Sequence, residues 1–221
     1  MLISHVHRTV FVHIPKTAGQ SIETVFLDEL GLTWDQRDQV LMLPNDDARV
    51  GPPRLAHLTA DEYVRHGHLS AERFASYFTF SLVRNPWDRA LSMYKYQQRH
   101  DPTSTQTLSD FVIRRLATRM WRHRYWWVRP QTEYIYDDAD RTLVDFVGRF
   151  ERLDEAFATV SERVGLRTDR LPEVNVSSEP AGVAEVAEVP ASLAERYDDR
   201  AAAAVASLYE RDIALLGYEL A

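Results

Sequence analysis

Short apolar runs alternate with amphipathic stretches along this chain. The first run, VFVHI at 10–14, is rich in β-branched residues and stops at a proline, which predicts a buried strand. Apolar residues then recur at helical spacing over 21–30, and this pattern closes at Gly31, as a helix often does. A strand, a short loop and a helix in this order indicate the start of a β-α unit.

The alternation continues through the rest of the chain. Residues 78–83 form an apolar run typical of an interior parallel strand, and Pro86 suits the first turn of a helix that ends near Gln98. Further helices are predicted over 108–120, 152–164 and 200–216, and mostly loop over 34–56 and 172–190. Strands that alternate with helices predict an α/β fold with a mostly parallel sheet flanked by helices. The length of 221 residues fits one domain over 1–221.

The composition of the chain excludes several kinds of functional site and makes some partners unfavourable. The chain has no cysteine, which excludes disulfides, thiolate metal sites and cysteine nucleophiles and suits a reducing compartment. The formal net charge of -7 does not favour nucleic acid or acidic membranes as partners. No stretch approaches the ~20 apolar residues of a membrane span, and the polar N-terminus lacks a signal-peptide core. The sequence therefore predicts a cytoplasmic protein without a membrane span, in which any affinity for anions comes from a local site.

The loop between the first strand and helix carries the first candidate chemistry. It reads IPKTAGQSI at 14–22 and is termed here the anion cradle. Backbone N–H groups of such a loop converge on one spot, and the helix dipole adds positive potential there. Lys16 adds a full charge, and Gly19 permits close approach of the backbone. Further donors are Thr17, Gln20 and Ser21. The cradle suits a phosphate or sulfate; the alternative is an ordinary strand-to-helix turn with a solvated lysine.

The order of residues separates this loop from that of the nucleoside triphosphatases. Their motif places two glycines around four residues before Lys-Ser or Lys-Thr. Here Lys16 precedes Gly19, so the lysine approaches a bound anion from a different side.

A second anion-binding segment follows the strand predicted over 78–83. Arg84 falls at its C-terminal end, where ligands bind in open α/β sheets. Ser92 lies about two turns into the next helix, on roughly the same side as the helix start. A guanidinium fork and a hydroxyl suit a second phosphate group. The alternative is an arginine that pairs with carboxylates and a serine that only packs.

Together these segments closely resemble the sulfotransferases that use 3′-phosphoadenosine 5′-phosphosulfate (PAPS), in the branch of the Golgi carbohydrate sulfotransferases and their bacterial relatives. HIPKTAGQSIE is similar to the 5′-phosphosulfate loop of that branch, and FSLVRNPWDRALSMY to its 3′-phosphate-binding segment. VDFVGRFERLDEAFATV at 144–160 and DIALLGYEL at 212–220 resemble later segments of the branch. The resemblance implies a single P-loop-like sulfotransferase domain.

The resemblance also implies roles for individual residues. Lys16 would contact the transferring sulfonate and the bridging oxygen, while Arg84 and Ser92 would hold the 3′-phosphate. The 5′-phosphate would lie on Thr17, Ala18, Gly19, Gln20 and Ser21. Gln20 stands where family loops commonly have threonine, which changes the reach of its donor. Asn175 resembles a residue of a late loop near the nucleotide, and a turn-forming asparagine is the alternative.

Sulfuryl transfer needs no metal, because positioning and charge stabilisation supply most of the catalysis. A base for the acceptor hydroxyl remains to be found, and histidine has a suitable pKa. His57 begins the segment HLTA, which resembles a His-x-Thr-Ala segment of the bacterial relatives, so His57 is preferred and His68 is the alternative. A carboxylate such as Glu62, or no protein base, stays open. His13 is expected only to pack inside the first strand.

The acceptor side is predicted from an aromatic and basic stretch. Residues 114–129 contain six arginines and three tryptophans in an otherwise acidic protein. Aromatic faces can stack on sugars, and arginine can hold carboxylates or sulfates. Trp126 and Trp127 are therefore predicted to bind the acceptor, and Gln131 resembles a family position that faces it. The alternative is a basic helix whose tryptophans fill the core.

The predicted activity is transfer of a sulfuryl group from PAPS to a hydroxyl or amine, which releases adenosine 3′,5′-bisphosphate. The expected acceptor is a carbohydrate, a glycolipid or another small metabolite. Two alternatives are a small-molecule kinase that uses ATP with magnesium and a non-catalytic module that binds adenosine bisphosphate.

Overall fold

The computed structural model describes residues 2–172 and 192–221. Asn175 lies outside the described residues. The described chain groups into two compact units: a sheet unit of residues 2–84 and 131–172, and a helical unit of residues 85–130 and 192–221. The organisation as one domain over 1–221 stays a prediction.

The strands form one sheet in the sheet unit. They are β1 (Leu2–Ser4), β2 (Thr9–Val12), β3 (Phe78–Val83) and β4 (Phe146–Arg149), in the order β1-β2-β3-β4. β1 pairs with β2 antiparallel, whereas β2 with β3 and β3 with β4 pair parallel. The mostly parallel α/β sheet predicted from the sequence is therefore confirmed. β2 and β3 were predicted, and β1 and β4 were not.

The helices follow one another along the chain as α1 (Gly19–Glu29), α2 (Ala60–Arg65), α3 (Ala71–Ser76), α4 (Pro86–His100), α5 (Leu108–Asp110), α6 (Trp121–His123), α7 (Tyr125–Val128), α8 (Thr132–Ile135), α9 (Leu153–Val164), α10 (Asp199–Leu208) and α11 (Glu210–Leu216). Turns of 3₁₀ helix lie at Trp34–Val40, Leu55–His57, Phe150–Arg152 and Ala194–Arg196, and Phe111–Met120 is π-helical. No helix of the described residues is long and apolar enough to cross a membrane.

Most predicted helices occur with small changes of boundary. The first begins at Gly19, because the left-handed Ala18 makes the turn from the loop. The helix predicted over 200–216 is split at Tyr209, whose φ of -119° leaves the helical region. The helix predicted over 108–120 is mostly π-helical, which apolar spacing alone does not reveal.

Aromatic residues fill the core of the sheet unit. Phe11 of β2 and Phe80 of β3 stack at 4.9 Å between ring centroids and are fully buried. Phe26 of α1 and Phe157 of α9 belong to the same buried cluster. The strands and their flanking helices thus form a packed base for the loops that leave the strand ends.

The helical unit has its own core. Trp87 and Met93 of α4 pack with Phe111 and with Val205 of α10. Arg89 is fully buried among them, and its guanidinium lies 5.6 Å from the ring centroid of Tyr209. The same guanidinium donates hydrogen bonds to the carbonyl oxygens of residues 127 and 129.

Candidate functional site

The candidate site lies where the three parallel strands of the sheet unit end. β2, β3 and β4 share one direction, so the residues that follow them lie along one edge, termed here the carboxyl edge. The first residues beyond these strands are His13, Arg84 and Phe150. Ligands of open α/β sheets bind at this edge. The structure therefore brings the anion cradle and Arg84 to the same edge of the sheet.

The backbone of the cradle has an unusual conformation. Lys16 and Ala18 have φ of 72° and 68°, although neither is glycine. Each such residue costs on the order of 1–3 kcal/mol, and strained residues of this kind cluster at functional sites. Backbone that alternates in and out of the left-handed region turns successive N–H groups into a concavity that binds anions. The fully buried Thr17 closes the turn, because its hydroxyl donates to the carbonyl of Ile14 at 2.8 Å.

The start of α1 adds to the positive potential of the cradle. The first N–H groups of a helix have no acceptor inside it, and the helix dipole makes this end positive. Among the described residues, no side chain caps the helix at Ala18, and its first turn has no acidic residue. Gln20 is exposed, whereas Ser21 is buried and its N–H bonds to the Ala18 carbonyl at 3.1 Å. This arrangement suits a phosphate or sulfate.

The structure shows a second reason for a glycine at position 19, beside the expected one. The sequence suggested that this glycine lets the backbone approach the anion. In the structure, a Cβ atom on Gly19 would lie 1.8 Å from Nε2 of His13. The glycine therefore makes room for the His13 side chain.

Arg84 is held at both its main chain and its side chain. Oε1 of Gln131 accepts a hydrogen bond from the Arg84 N–H at 2.8 Å, and Nε2 of Gln131 donates to the Arg84 carbonyl at 2.7 Å. The guanidinium carbon lies 3.9 Å from the ring centroid of Phe150. Nη1 of Arg84 also donates to the carbonyl of Lys16 at 3.3 Å. These contacts fix the guanidinium beside the cradle.

Gln131 was predicted to face the acceptor. Its side chain is instead fully buried, and its amide is bonded to the main chain of Arg84. The geometry therefore favours a positioning role for Gln131 over the predicted acceptor contact.

His57 contacts the residue that leads into the cradle. Its Nδ1 lies 2.9 Å from the carbonyl oxygen of His13. Since a carbonyl only accepts, Nδ1 carries the proton, and the lone pair of the neutral ring is on Nε2. Burial, followed by the charge of His13, lowers the pKa of His57 well below 6.5. His57 is thus neutral near pH 7, with the protonation state that a general base requires.

A buried pair lies beneath this contact. Nδ1 of His13 and Oε1 of Glu23 are 2.7 Å apart, and the two side chains are 8% and 4% exposed. Burial raises the pKa of Glu23, but the charge and hydrogen bond of His13 outweigh it and hold the pKa below its usual value. His13 was expected to pack inside the strand; β2 ends at Val12, and His13 joins this polar pair instead. The signal in the sequence was a histidine directly after a strand with a glutamate ten residues on.

The other candidate bases have structural bonds elsewhere. His68 donates from Nε2 to the carbonyl of Val50 at 2.7 Å. Glu62 accepts from the Thr59 N–H at 2.9 Å and so caps the start of α2. Of the three candidates, the geometry favours His57, because its bond to the His13 carbonyl joins it to the entrance of the cradle.

The remaining predicted residues belong to the helical unit. Ser92 is buried in α4, at 5% exposure, and its contact with a 3′-phosphate stays a prediction. Trp126 and Trp127 lie in α7 and are partly buried. The Trp127 ring lies 5.6 Å from that of Tyr96 and packs against the core of this unit. Their binding of an acceptor also stays a prediction. Over residues 2–172 and 192–221, no group of three or more histidine or acidic residues is placed to hold a metal ion.

A mostly parallel sheet with an anion cradle and a fixed arginine at its carboxyl edge defines an α/β protein with a candidate site for anionic groups. The chain belongs to the sulfotransferase family, whose family model matches residues 1–219. It is also 25% identical over 117 residues to an uncharacterised protein of Archaeoglobus fulgidus, a match that covers 48% of this chain and 82% of that protein. No solved structure matches the chain significantly.

Proposed function

We propose that this protein transfers a sulfuryl group from PAPS to a hydroxyl or amine and releases adenosine 3′,5′-bisphosphate. Family membership supports sulfuryl transfer. The observation that carries the choice of donor is the bond from Nη1 of Arg84 to the carbonyl of Lys16, at 3.3 Å. It joins a second cationic group to the anion cradle, as a donor with phosphate groups at both its 5′ and 3′ positions requires.

The cradle residues fit the 5′-phosphosulfate of this donor. Hydrogen-bond donors come from the N–H groups at the start of α1 and from the left-handed turn at Lys16 and Ala18. The first turn of α1 has no acidic residue that would repel an anion. Arg84 would hold the 3′-phosphate through its guanidinium fork, which suits phosphate geometry. The contact with Phe150 pre-orders that fork and so lowers the entropy lost on binding.

The proposed chemical step is an in-line displacement at sulfur. The acceptor oxygen or nitrogen forms a bond to sulfur while the bond from sulfur to the phosphate oxygen breaks. Lys16 would neutralise the charge that grows on this leaving oxygen. Nε2 of His57 would take the proton of the acceptor group, because the ring is neutral near pH 7 and its lone pair lies on that nitrogen.

The proposed acceptor is a carbohydrate, a glycolipid or another small metabolite. The arginines and tryptophans of residues 114–129 support an acceptor with rings and negative charge. Trp126 and Trp127 would contribute the aromatic faces. Family membership favours this activity over an ATP-dependent kinase, and the tautomer of His57 favours catalysis over a purely binding module.

A transfer assay tests the proposal. The wild type, given PAPS labelled in its sulfuryl group and a panel of carbohydrates, glycolipids and small hydroxyl compounds, should label at least one acceptor. Lys16→Met should lower kcat by roughly 10²–10³-fold, the usual loss when one group that stabilises the transition state is removed. His68→Gln is the matched control and should keep the wild-type rate. Phosphoryl transfer from ATP with magnesium, without any sulfuryl transfer, would contradict the proposal.

A further inference from the structure

We infer that Glu23 and His13 form a positioning pair that holds His57 in the tautomer with its lone pair on Nε2. The inference rests on the proposed function, in which His57 is the base. Neither Glu23 nor His13 would touch the substrate. Their effect would be transmitted through the ring and the carbonyl of His13.

A hydrogen bond joins Glu23 and His13. Glu23 lies in the second turn of α1, and His13 directly follows β2, so their 2.7 Å contact bridges the two ends of the cradle. Both groups are almost fully buried, and buried ionisable groups persist only when they are paired. An ionised carboxylate only accepts, so Nδ1 of His13 carries a proton.

The orientation of the His13 ring is fixed by its neighbours. Phe11 stacks on it at 5.3 Å between centroids and 14° between planes. A Cβ atom at Gly19 would overlap its Nε2 side. Together with the Glu23 bond, these contacts leave one orientation of the ring, since each alternative would separate the pair or collide with the start of α1.

The His13 ring is in direct contact with His57. The rings of His13 and His57 meet edge to face, with centroids 4.5 Å apart and planes at 62°. Nδ1 of His57 meets the carbonyl of the same residue at 2.9 Å. His57 is therefore positioned by His13 twice, once through its ring and once through its main chain. A rotation of the His13 ring would remove the surface against which His57 packs.

A buried pair could also serve stability alone, and a spectroscopic measurement separates the two roles. Nitrogen-15 NMR of the ring nitrogens identifies which nitrogen of each histidine carries the proton, and His57→Gln assigns the His57 signals. In the wild type without ligand, we expect the His57 proton on Nδ1. In Glu23→Ala, the His57 signals should move toward a mixture of tautomers.

Kinetics should change in a matching way. We expect Glu23→Ala to lower kcat by about tenfold or more. Losses of this size follow when a residue that orients a functional side chain is removed, or when a general base loses part of its contribution. The KM for PAPS should stay within about threefold, since an interaction needed only in the transition state alters kcat. Glu23→Gln retains the side-chain volume, and its changes in kcat and in the His57 tautomer should be in the same direction but smaller. If Glu23→Ala does not fold, Glu23→Gln decides the question.

Tyr63→Phe is the matched control. It removes another buried bond to the same strand, from the Tyr63 hydroxyl to the carbonyl of Phe11 at 2.8 Å, and should leave the tautomer of His57 unchanged. An Nε2 proton on wild-type His57, an unchanged tautomer in both Glu23 variants, or an equal change in Tyr63→Phe would overturn the inference. Because NMR needs no PAPS, a protein with the expected tautomers but no sulfuryl transfer would refute the proposed function and leave the pair intact.

Discussion

The side-chain amide of Gln131 bonds to both main-chain groups of Arg84, at 2.8 Å to its N–H and 2.7 Å to its carbonyl. Arg84 is the first residue after β3 and so lies just beyond the last residue of that strand that pairs with β4. The Gln131 amide thus bonds to the Arg84 main chain in the way that a residue of a neighbouring strand would. It keeps the main chain of Arg84 fixed while the guanidinium packs on Phe150.

Replacement of Gln131 should weaken binding at the 3′-phosphate. Gln131→Ala removes two hydrogen bonds to the Arg84 main chain, at a cost of about 0.5–1.5 kcal/mol each, and lets Arg84 move. We expect the Kd for adenosine 3′,5′-bisphosphate to rise about tenfold while that for 5′-AMP changes little. Calorimetric titration of both nucleotides checks this, with Tyr63→Phe as a control for loss of a buried bond. Equal weakening for both nucleotides would contradict it.

The guanidinium of Arg84 should not be replaceable by an ammonium. Arg84→Lys keeps the charge but loses the fork and the flat contact with Phe150. Loss of charge-assisted bonds worth about 1.5–3 kcal/mol corresponds to roughly 10–100-fold weaker binding of the bisphosphate. The measurement is the same titration, and Arg65→Lys, an exposed arginine of α2, is the matched control. Wild-type affinity in Arg84→Lys would remove Arg84 from the phosphate site.

Gly19 and His13 should be energetically coupled. Gly19→Ala places a methyl group against the His13 ring, and overpacking of this kind costs about 1–3 kcal/mol, although alanine normally favours a helix. A second substitution, His13→Ala, removes the collision. Denaturant unfolding of the two single variants and the double variant should therefore show a double variant more stable than the sum of the single losses predicts. Strictly additive losses would contradict the contact.

The pKa of His57 should appear in the pH dependence of stability. The folded pKa lies well below 6.5, so the unfolded chain binds more protons than the folded protein once the pH falls below about 6.5. The free energy of unfolding should be highest above that pH and decrease as the pH falls toward the folded pKa. His57→Gln, which keeps a donor for the His13 carbonyl, should reduce this decrease. Unfolding curves between about pH 7.5 and pH 5 test this, and identical slopes in the two proteins would contradict it.

The sequence predicted the parts of the site that lie in continuous segments. The cradle at 14–22 and Arg84 at the end of a strand follow from apolar runs that stop at loops, and the structure brings both to the carboxyl edge. β1 has only three residues, and β4 reads FVGR, in which glycine and arginine follow two apolar residues, so neither has the apolar run that identifies β2. Such strands are defined by their neighbours in the sheet.

Contacts between residues far apart in the chain could not be predicted from the sequence. Gln131 is separated from Arg84 by 47 positions, and nothing in either segment indicates that a side-chain amide will bond to that main chain. His57 and His68 lie in similar segments, and only the fold shows that one bonds to His13 and the other to Val50. The need for a glycine at position 19 likewise depends on the position of the His13 ring, which the sequence does not show.

Calorimetric titration should show whether the proposed site holds a nucleotide with a 3′-phosphate. The ligands are adenosine 3′,5′-bisphosphate, 5′-AMP and ATP with magnesium, and the proteins are the wild type and Arg84→Ala. We expect the wild type to bind the bisphosphate with a micromolar Kd, a binding free energy of about 8 kcal/mol, and to bind the other two ligands much more weakly. Arg84→Ala should lose this preference. Tight binding of ATP with magnesium, with no preference for the 3′-phosphate, would show that the site is not one for PAPS.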